Sequence, residues 1–216
     1  MDLLNRAIAA IERDVAQHGG AALTVTLGDY IDRGPASRGV LDLLAANPFP
    51  TPYVALKGNH EALLDSFLSD PKVGEHWRKL GALETLSSYG VPVGELMLGK
   101  NYQEAADRLR DALPPGHVKF LQSLKTFHSH GNYFLCHAGV RPGVALERQS
   151  DEDLMWIRHE FLNSTMDFGK IVVHGHTPIE QPEVFANRIN IDTGAFATGQ
   201  LTCVVLERDN HRFLKV

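Results

Sequence analysis

Five short apolar runs in this chain end in the same way, at a glycine and a polar side chain able to bind a cation or move a proton. Residues 23–27 lead into Gly28-Asp29, and residues 53–56 into Lys57-Gly58-Asn59-His60. Residues 133–136 lead into His137-Ala138-Gly139, residues 171–173 into His174-Gly175-His176, and residues 189–191 into Asp192-Thr193-Gly194. Runs of this length, bounded by turn residues, predict strands. In layered α/β folds the loops beyond strand ends carry chemistry and gather outside the carboxyl edge of the sheet. The repeated ending therefore predicts an α/β fold whose strand-end loops converge.

The intervening stretches fit that expectation. Leu3, Leu4, Ala7, Ile8, Ile11 and Val15 recur at helical spacing, and Gly19-Gly20 stops them. Residues 37–46 predict a second helix, and Leu63, Leu64, Phe67 and Leu68 a third. A βαβα order implies a mainly parallel sheet under helices. From about residue 70 to residue 116, Trp77, Leu80, Leu83 and Leu86 predict one helix and Ala105, Leu109 and Leu113 another. This stretch is expected to be a helical insertion within a single domain spanning residues 1–216. Phe120 and Leu124 predict a further short helix. Two more strands are expected at residues 201–206 and 213–216.

Charge and cysteine usage narrow the function classes. Twenty-one Lys and Arg against 26 Asp and Glu give a net charge of -5, which argues against phosphate-neutralising attachment to nucleic acid. Cys136 and Cys203 lie in apolar runs and are expected as buried thiols in a reducing compartment. The N-terminus lacks a signal-peptide pattern and no apolar run reaches membrane-spanning length. Cytoplasmic residence, with neither nucleic acid nor membrane as partner, is the expectation.

Asp29, Asn59, His137 and His176 offer carboxylate, amide oxygen and imidazole. This mixed set suits a divalent first-row ion such as Mn, with Fe or Zn possible, better than calcium or a thiolate site. Arg33 and Arg158 offer planar forks for a phosphate. His174, one residue from His176 along a strand, is expected to support or pack rather than ligate. His18, His76, His117, His128, His130, His159 and His211 have no motif around them and are read as structural or surface residues.

Gly28-Asp29-Tyr30-Ile31-Asp32-Arg33-Gly34, Gly58-Asn59-His60-Glu61, His137-Ala138-Gly139 and Gly175-His176-Thr177 resemble the motifs of the phosphoprotein phosphatases. In particular they resemble the bacterial serine/threonine enzymes of the calcineurin-like metallophosphoesterase superfamily. The resemblance implies a β-sandwich flanked by helices and the hydrolysis of phosphoric monoesters, on a phosphorylated protein or a small phosphoester. It implies that Asp29 bridges two metals and that Asn59, His137 and His176 complete the second metal's ligands. It implies that His60 protonates the leaving alkoxide with Asp32 orienting it, and that Arg33, Arg158 and Asn59 bind the phosphate. Similar family members hydrolyse dinucleoside polyphosphates, and a non-catalytic phosphate-binding relative would keep the same arginines.

The family pattern opens with a strand and Gly-Asp-x-His-Gly before the helix that begins here near Asp2. This sequence does not contain that motif. The first metal would keep only Asp29, so one tightly bound metal, impaired turnover and a missing first strand are expected.

Overall fold

The computed structural model describes residues 1–216. The chain opens with α1 (Asp2–His18), β1 (Thr24–Thr26), α2 (Ser37–Ala45), β2 (Tyr53–Ala55) and α3 (Asn59–Ser69). Helices then follow one another as α4 (Gly74–Trp77), α5 (Ala82–Ser88), α6 (Gly94–Met97), α7 (Tyr102–Ala112) and α8 (Pro115–Ser123). The remainder alternates: β3 (Phe127–His130), β4 (Tyr133–Cys136), α9 (Asp151–Trp156), α10 (His159–Leu162), β5 (Ile171–His174), β6 (Glu183–Val184), β7 (Arg188–Asn190), α11 (Ala195–Thr198), β8 (Cys203–Glu207) and β9 (Asn210–Leu214). Contacts divide the chain into two compact units. One is mostly helical and comprises Met1 with residues 28–48 and 59–124; the other, sheet-rich, comprises residues 2–27, 49–58 and 125–216.

In the sheet-rich unit α1 stops where expected, because Gly19 and Gly20 take φ of +65° and +88° and the Gly19 N–H returns to the Val15 carbonyl. Strands β1 and β2 pair in parallel with Val25 opposite Val54. A five-stranded sheet runs β3-β4-β5-β7-β6, parallel through β4, β5 and β7 and antiparallel at its edges. Strands β8 and β9 form a hairpin. Alternation along β4 and β5 divides the core. Phe134, Cys136 and Val172 pack with Leu154, Ile157 and Phe161 from the α9–α10 region. Tyr133, Leu135, Val173 and Ile189 face the other way, against Leu56, Val25, Val54, Val204 and Leu206. Sheet therefore packs on sheet on one face and helix on sheet on the other, the layered arrangement expected for a flanked sandwich. Strand β4 is buried along its whole length, which is why it reads as an unbroken apolar run.

The helical unit is built around Leu41, Leu64, Phe67, Trp77, Leu86, Leu96 and Leu109, all buried. The close approach of α4 needs Gly74, where a Cβ would stand 2.6 Å from Tyr102 and 2.8 Å from Phe67. One expected helix differs. The pattern over Trp77, Leu80, Leu83 and Leu86 is broken by Gly81, whose φ of +105° ends a 3-10 turn (Arg78–Leu80) and restarts the chain as α5. A second difference is that Asn59 and His60 open α3 rather than preceding it in a loop. Short elements with little periodicity (β3, β6, α9, α10 and α11) were not foreseen. Both cysteines are free, Cys136 buried and Cys203 half-buried, and no helix is long and apolar enough to cross a membrane.

Candidate active site

In the helical unit, the loop of residues 28–34 has an unusual backbone. Asp29, Asp32 and Arg33 all take positive φ, at 58°, 73° and 61°. Non-glycine residues adopt this region at a cost and persist there only when the surroundings hold them. The holding groups are identifiable. Glu61, wholly buried, accepts the N–H of Asp29 (2.9 Å) on one oxygen and that of Tyr30 (2.7 Å) on the other. The Asp32 N–H meets both Thr85 Oγ1 (2.8 Å) and Ser37 Oγ (3.1 Å). Arg33 is the centre of a three-residue turn closed by the Gly34 N–H on the Asp32 carbonyl, and its own N–H bonds the Gly81 carbonyl.

The Asp32 carboxylate is fully engaged. Oδ2 accepts from Trp77 Nε1 and from His60 Nδ1, both at 2.6 Å, and Oδ1 accepts from the Thr85 hydroxyl at 2.6 Å. With Nδ1–H committed to Asp32, Nε2 is the basic nitrogen of the His60 ring. It accepts from Arg33 Nη2 at 3.2 Å and lies 3.9 Å from Asp29 Oδ2. Burial works against charging this ring. The hydrogen bond to Asp32 and the negative charges of Asp29 and Asp32 outweigh burial and the opposing Arg33 charge, so its pKa sits above the ordinary histidine value. Asp29 Oδ1 also accepts the His60 backbone N–H (3.3 Å) at the start of α3, where a helix favours negative charge. Asp29, Asp32, Arg33, Asn59 and His60 are thus brought together.

In the sheet-rich unit His137 directly follows β4, and β5 ends at His174. His137 donates Nδ1–H to the Leu27 carbonyl (2.7 Å), which fixes the ring with Nε2 as its basic nitrogen, the tautomer of a metal-ligating histidine held from behind. His176 is the centre of another tight turn, with φ of 65° and the Thr177 N–H on the Gly175 carbonyl. Its ring stands edge-to-face with His137 at 5.1 Å and with Trp156 at 6.2 Å. His174 is fully buried, lies edge-on to Phe161 at 4.9 Å, and is pushed down to about 3 by burial. It is a neutral packed strand-end residue. Arg158 caps α10; its guanidinium is exposed and makes no ion pair.

The predicted ligands divide into two pairs, Asp29 with Asn59 and His137 with His176. The structure gathers no group of three His, Cys, Asp or Glu side chains able to hold a metal ion. The donor chemistry nevertheless fits: an imidazole held in the ligating tautomer by Leu27, a second imidazole beside it, and a half-exposed carboxylate. The chain's one Asp-x-His, Asp209-Asn210-His211, lies at the β8–β9 turn, where Asp209 accepts from Asn132. Sequence reasoning gave no role to Glu61, Trp77 or Thr85. Glu61 stands inside the quoted Gly-Asn-His-Glu, and Trp77-x3-Gly81-x3-Thr85 is a readable polar spacing within an apolar pattern.

An Asp-backed histidine with an arginine on its Nε2 in one unit, and a pair of imidazoles at strand ends in the other, are features of the class of phosphoester hydrolases. The family model of the calcineurin-like phosphoesterases matches residues 2–199, and the chain belongs to that family. Serine/threonine-protein phosphatase 2 of Salmonella typhimurium is 30% identical over 193 residues, covering 83% of this chain and 78% of that protein. Bis(5'-nucleosyl)-tetraphosphatase PrpE of Anoxybacillus flavithermus is 24% identical over 210 residues, covering 89% and 79%. Among solved structures, a candidate diadenosine tetraphosphatase superposes with a TM-score of 0.66 at 19% identity, covering 98% of this chain and 86% of its own. The cold-active protein-tyrosine phosphatase of a psychrophilic Shewanella gives 0.57 at 14% identity, covering 99% and 77%. These two likenesses bear out the expected α/β fold.

Proposed function

We propose that the protein is a metal-dependent phosphomonoesterase of the serine/threonine protein phosphatase type. The observation that carries this reading is the Asp32–His60 pair. A histidine whose Nδ1–H is held by a shielded carboxylate has Nε2 as its working nitrogen, and here Nε2 stands 3.9 Å from the half-exposed carboxylate of Asp29. That is what an acid protonating a leaving alkoxide requires, and such help contributes roughly 10²–10⁴-fold.

The remaining roles follow the motif resemblance. Asp29, Asn59, His137 and His176 would hold a divalent ion, manganese before iron or zinc, and one such ion is assigned to this chain's own residues. When bound, the ion supplies positive charge against the phosphoryl oxygens and makes water acidic enough to attack near neutral pH. Arg33 and Arg158, with Asn59, hold the phosphoryl oxygens. Arg33 must leave His60 Nε2 to do so, because a protonated Nε2 cannot accept its hydrogen bond. The ester bond to phosphorus then breaks, water oxygen takes its place, and His60 gives its Nε2 proton to the departing alkoxide while Asp32 keeps the ring in place.

The test is manganese-loaded protein offered p-nitrophenyl phosphate, a phosphoserine peptide and diadenosine tetraphosphate, with bound metal counted in parallel. The first two should turn over, with about one ion per chain. A preference for the dinucleotide would move the assignment to the second reading, raised by the likeness to the Anoxybacillus protein. A metal-loaded chain that hydrolyses none of the three is a phosphate-binding relative and not an enzyme.

A further inference from the structure

We infer that Trp77, Gly81 and Thr85 form a positioning clamp that sets the orientation of His60 through Asp32; its catalytic consequence rests on the proposed role of His60. The three residues recur at intervals of four along one broken helix, and each contributes a different contact to the Asp32-Arg33 turn. Trp77 Nε1–H holds Asp32 Oδ2 and the Thr85 hydroxyl holds Oδ1, each at 2.6 Å. The Gly81 carbonyl accepts the Arg33 N–H at 3.1 Å. Gly81 also leaves room for that residue, since a Cβ there would lie 2.6 Å from Arg33 N and 2.7 Å from its Cγ.

The break in the helix is part of the device. At φ of +105° Gly81 ends the 3-10 turn and stands at the N-cap of α5, where its carbonyl accepts the Arg33 amide N–H. Trp77 and Thr85 are fully buried, and Trp77 is backed by Phe67 at 5.1 Å between ring centroids. A core tryptophan needs a partner for its indole N–H, and a core threonine for its hydroxyl. Here both choose the one carboxylate that carries the His60 ring, in a loop where Asp32 and Arg33 are both left-handed. Without Trp77 and Thr85 the carboxylate keeps His60 as its only side-chain donor. Its rotation, and with it the direction of His60 Nε2, is then no longer fixed.

The test reads His60 directly and in the absence of turnover. Nitrogen-15 spectra of the histidine rings should show wild-type His60 locked as the Nδ1–H tautomer. Trp77→Phe and Thr85→Val should each give a mixture of tautomers, and Thr85→Ser should restore the lock. On p-nitrophenyl phosphate with manganese, the first two variants should lose roughly ten- to a hundredfold in kcat with KM within about twofold, and the serine variant should recover it. A locked wild-type-like His60 in both Trp77→Phe and Thr85→Val overturns the clamp. So does a loss in Thr85→Ser equal to that in Thr85→Val. If the replaced tryptophan unfolds the chain, its indole signal decides instead. The chain has two tryptophans, Trp77 and Trp156, so the Trp77 Nε1–H resonance can be assigned, and it should shift when Asp32 becomes Asn. An unmoved resonance overturns the contact. A wild-type chain that binds metal but hydrolyses nothing defeats the phosphatase reading alone, because the spectra still judge the clamp.

Discussion

His60 Nδ1 gives its hydrogen to Asp32 Oδ2 across 2.6 Å, with the Asp32 side chain wholly shielded and that of His60 only 3% exposed. Water cannot compete for either end, so the ring has one orientation and one tautomer while Asp32 is held. This makes replacement of His60 informative. His60→Asn should lower turnover by roughly 10²–10⁴-fold, the range typical of a lost general acid. Bound manganese should stay within about twofold of wild type, since His60 is assigned to the proton and not to the ion. Metal loss in step with activity would make His60 a ligand.

Glu61 is wholly buried and its carboxyl is shared between two backbone N–H groups, those of Asp29 and Tyr30. Replacement by alanine strands both donors where solvent reaches them poorly, at about 1–3 kcal/mol each. Glu61→Ala should therefore lower unfolding free energy by about 2–6 kcal/mol, and Glu61→Gln, which keeps one acceptor, by about half of that. Urea denaturation measures both. A loss under about 1 kcal/mol in the alanine variant would mean that the left-handed Asp29 does not depend on this carboxylate.

Gly139, two residues after His137, lies against the face of Phe161 so closely that a Cβ would overlap the Cδ1, Cγ and Cε1 atoms of that ring. Phe161 is fully buried and is itself set against His174 and Phe168, so it has no direction in which to retreat. Gly139→Ala should cost about 1–3 kcal/mol by overpacking. Paired with Phe161→Leu, the penalty should shrink, because the smaller side chain leaves space for the methyl. Equal penalties in the single and double variants would show that backbone conformation, and not the ring, demands glycine.

The legible and illegible parts of this molecule divide along a physical line. Strand ends were readable because an apolar run must stop where its polar residue and glycine begin, and β1, β2, β4, β5 and β7 all fall at such places. Asp29, Asp32 and His60 could be nominated by residue type and order. What supports them could not. Glu61 looks like an ordinary helix carboxylate, and nothing in its neighbours announces that it closes over two amides 31 and 32 positions away. Trp77 reads as an apolar anchor because periodicity counts its ring and ignores its N–H. Gly81 ends a helix that the apolar spacing continues straight through, because backbone sign is invisible to a hydrophobic pattern. His174 was readable by contrast: one residue from His176 along a strand, it was expected to support or pack, and it is buried against Phe161.

The last relationship ties the start of the chain to its end. Arg212 of β9 grips Asp14 of α1 with two parallel bonds, at 2.5 Å and 2.8 Å. This fork, joined by the nearby His18, holds the Asp14 carboxyl below the ordinary carboxylate range against the opposing effect of burial. A carboxylate whose folded pKa is depressed binds fewer protons folded than unfolded. Its stabilisation is therefore complete above the unfolded value, near 4, and fades as pH falls through the lower folded value. Stability of the wild type should then drop more steeply below about pH 4 than that of Asp14→Asn, and the two curves should converge in strong acid. The difference should also shrink in about 1 M salt, because the Arg212 end of the pair reaches solvent. Parallel curves across the acid range would show that the fork leaves Asp14 with the same proton affinity folded and unfolded, and that α1 is held to β9 by packing alone.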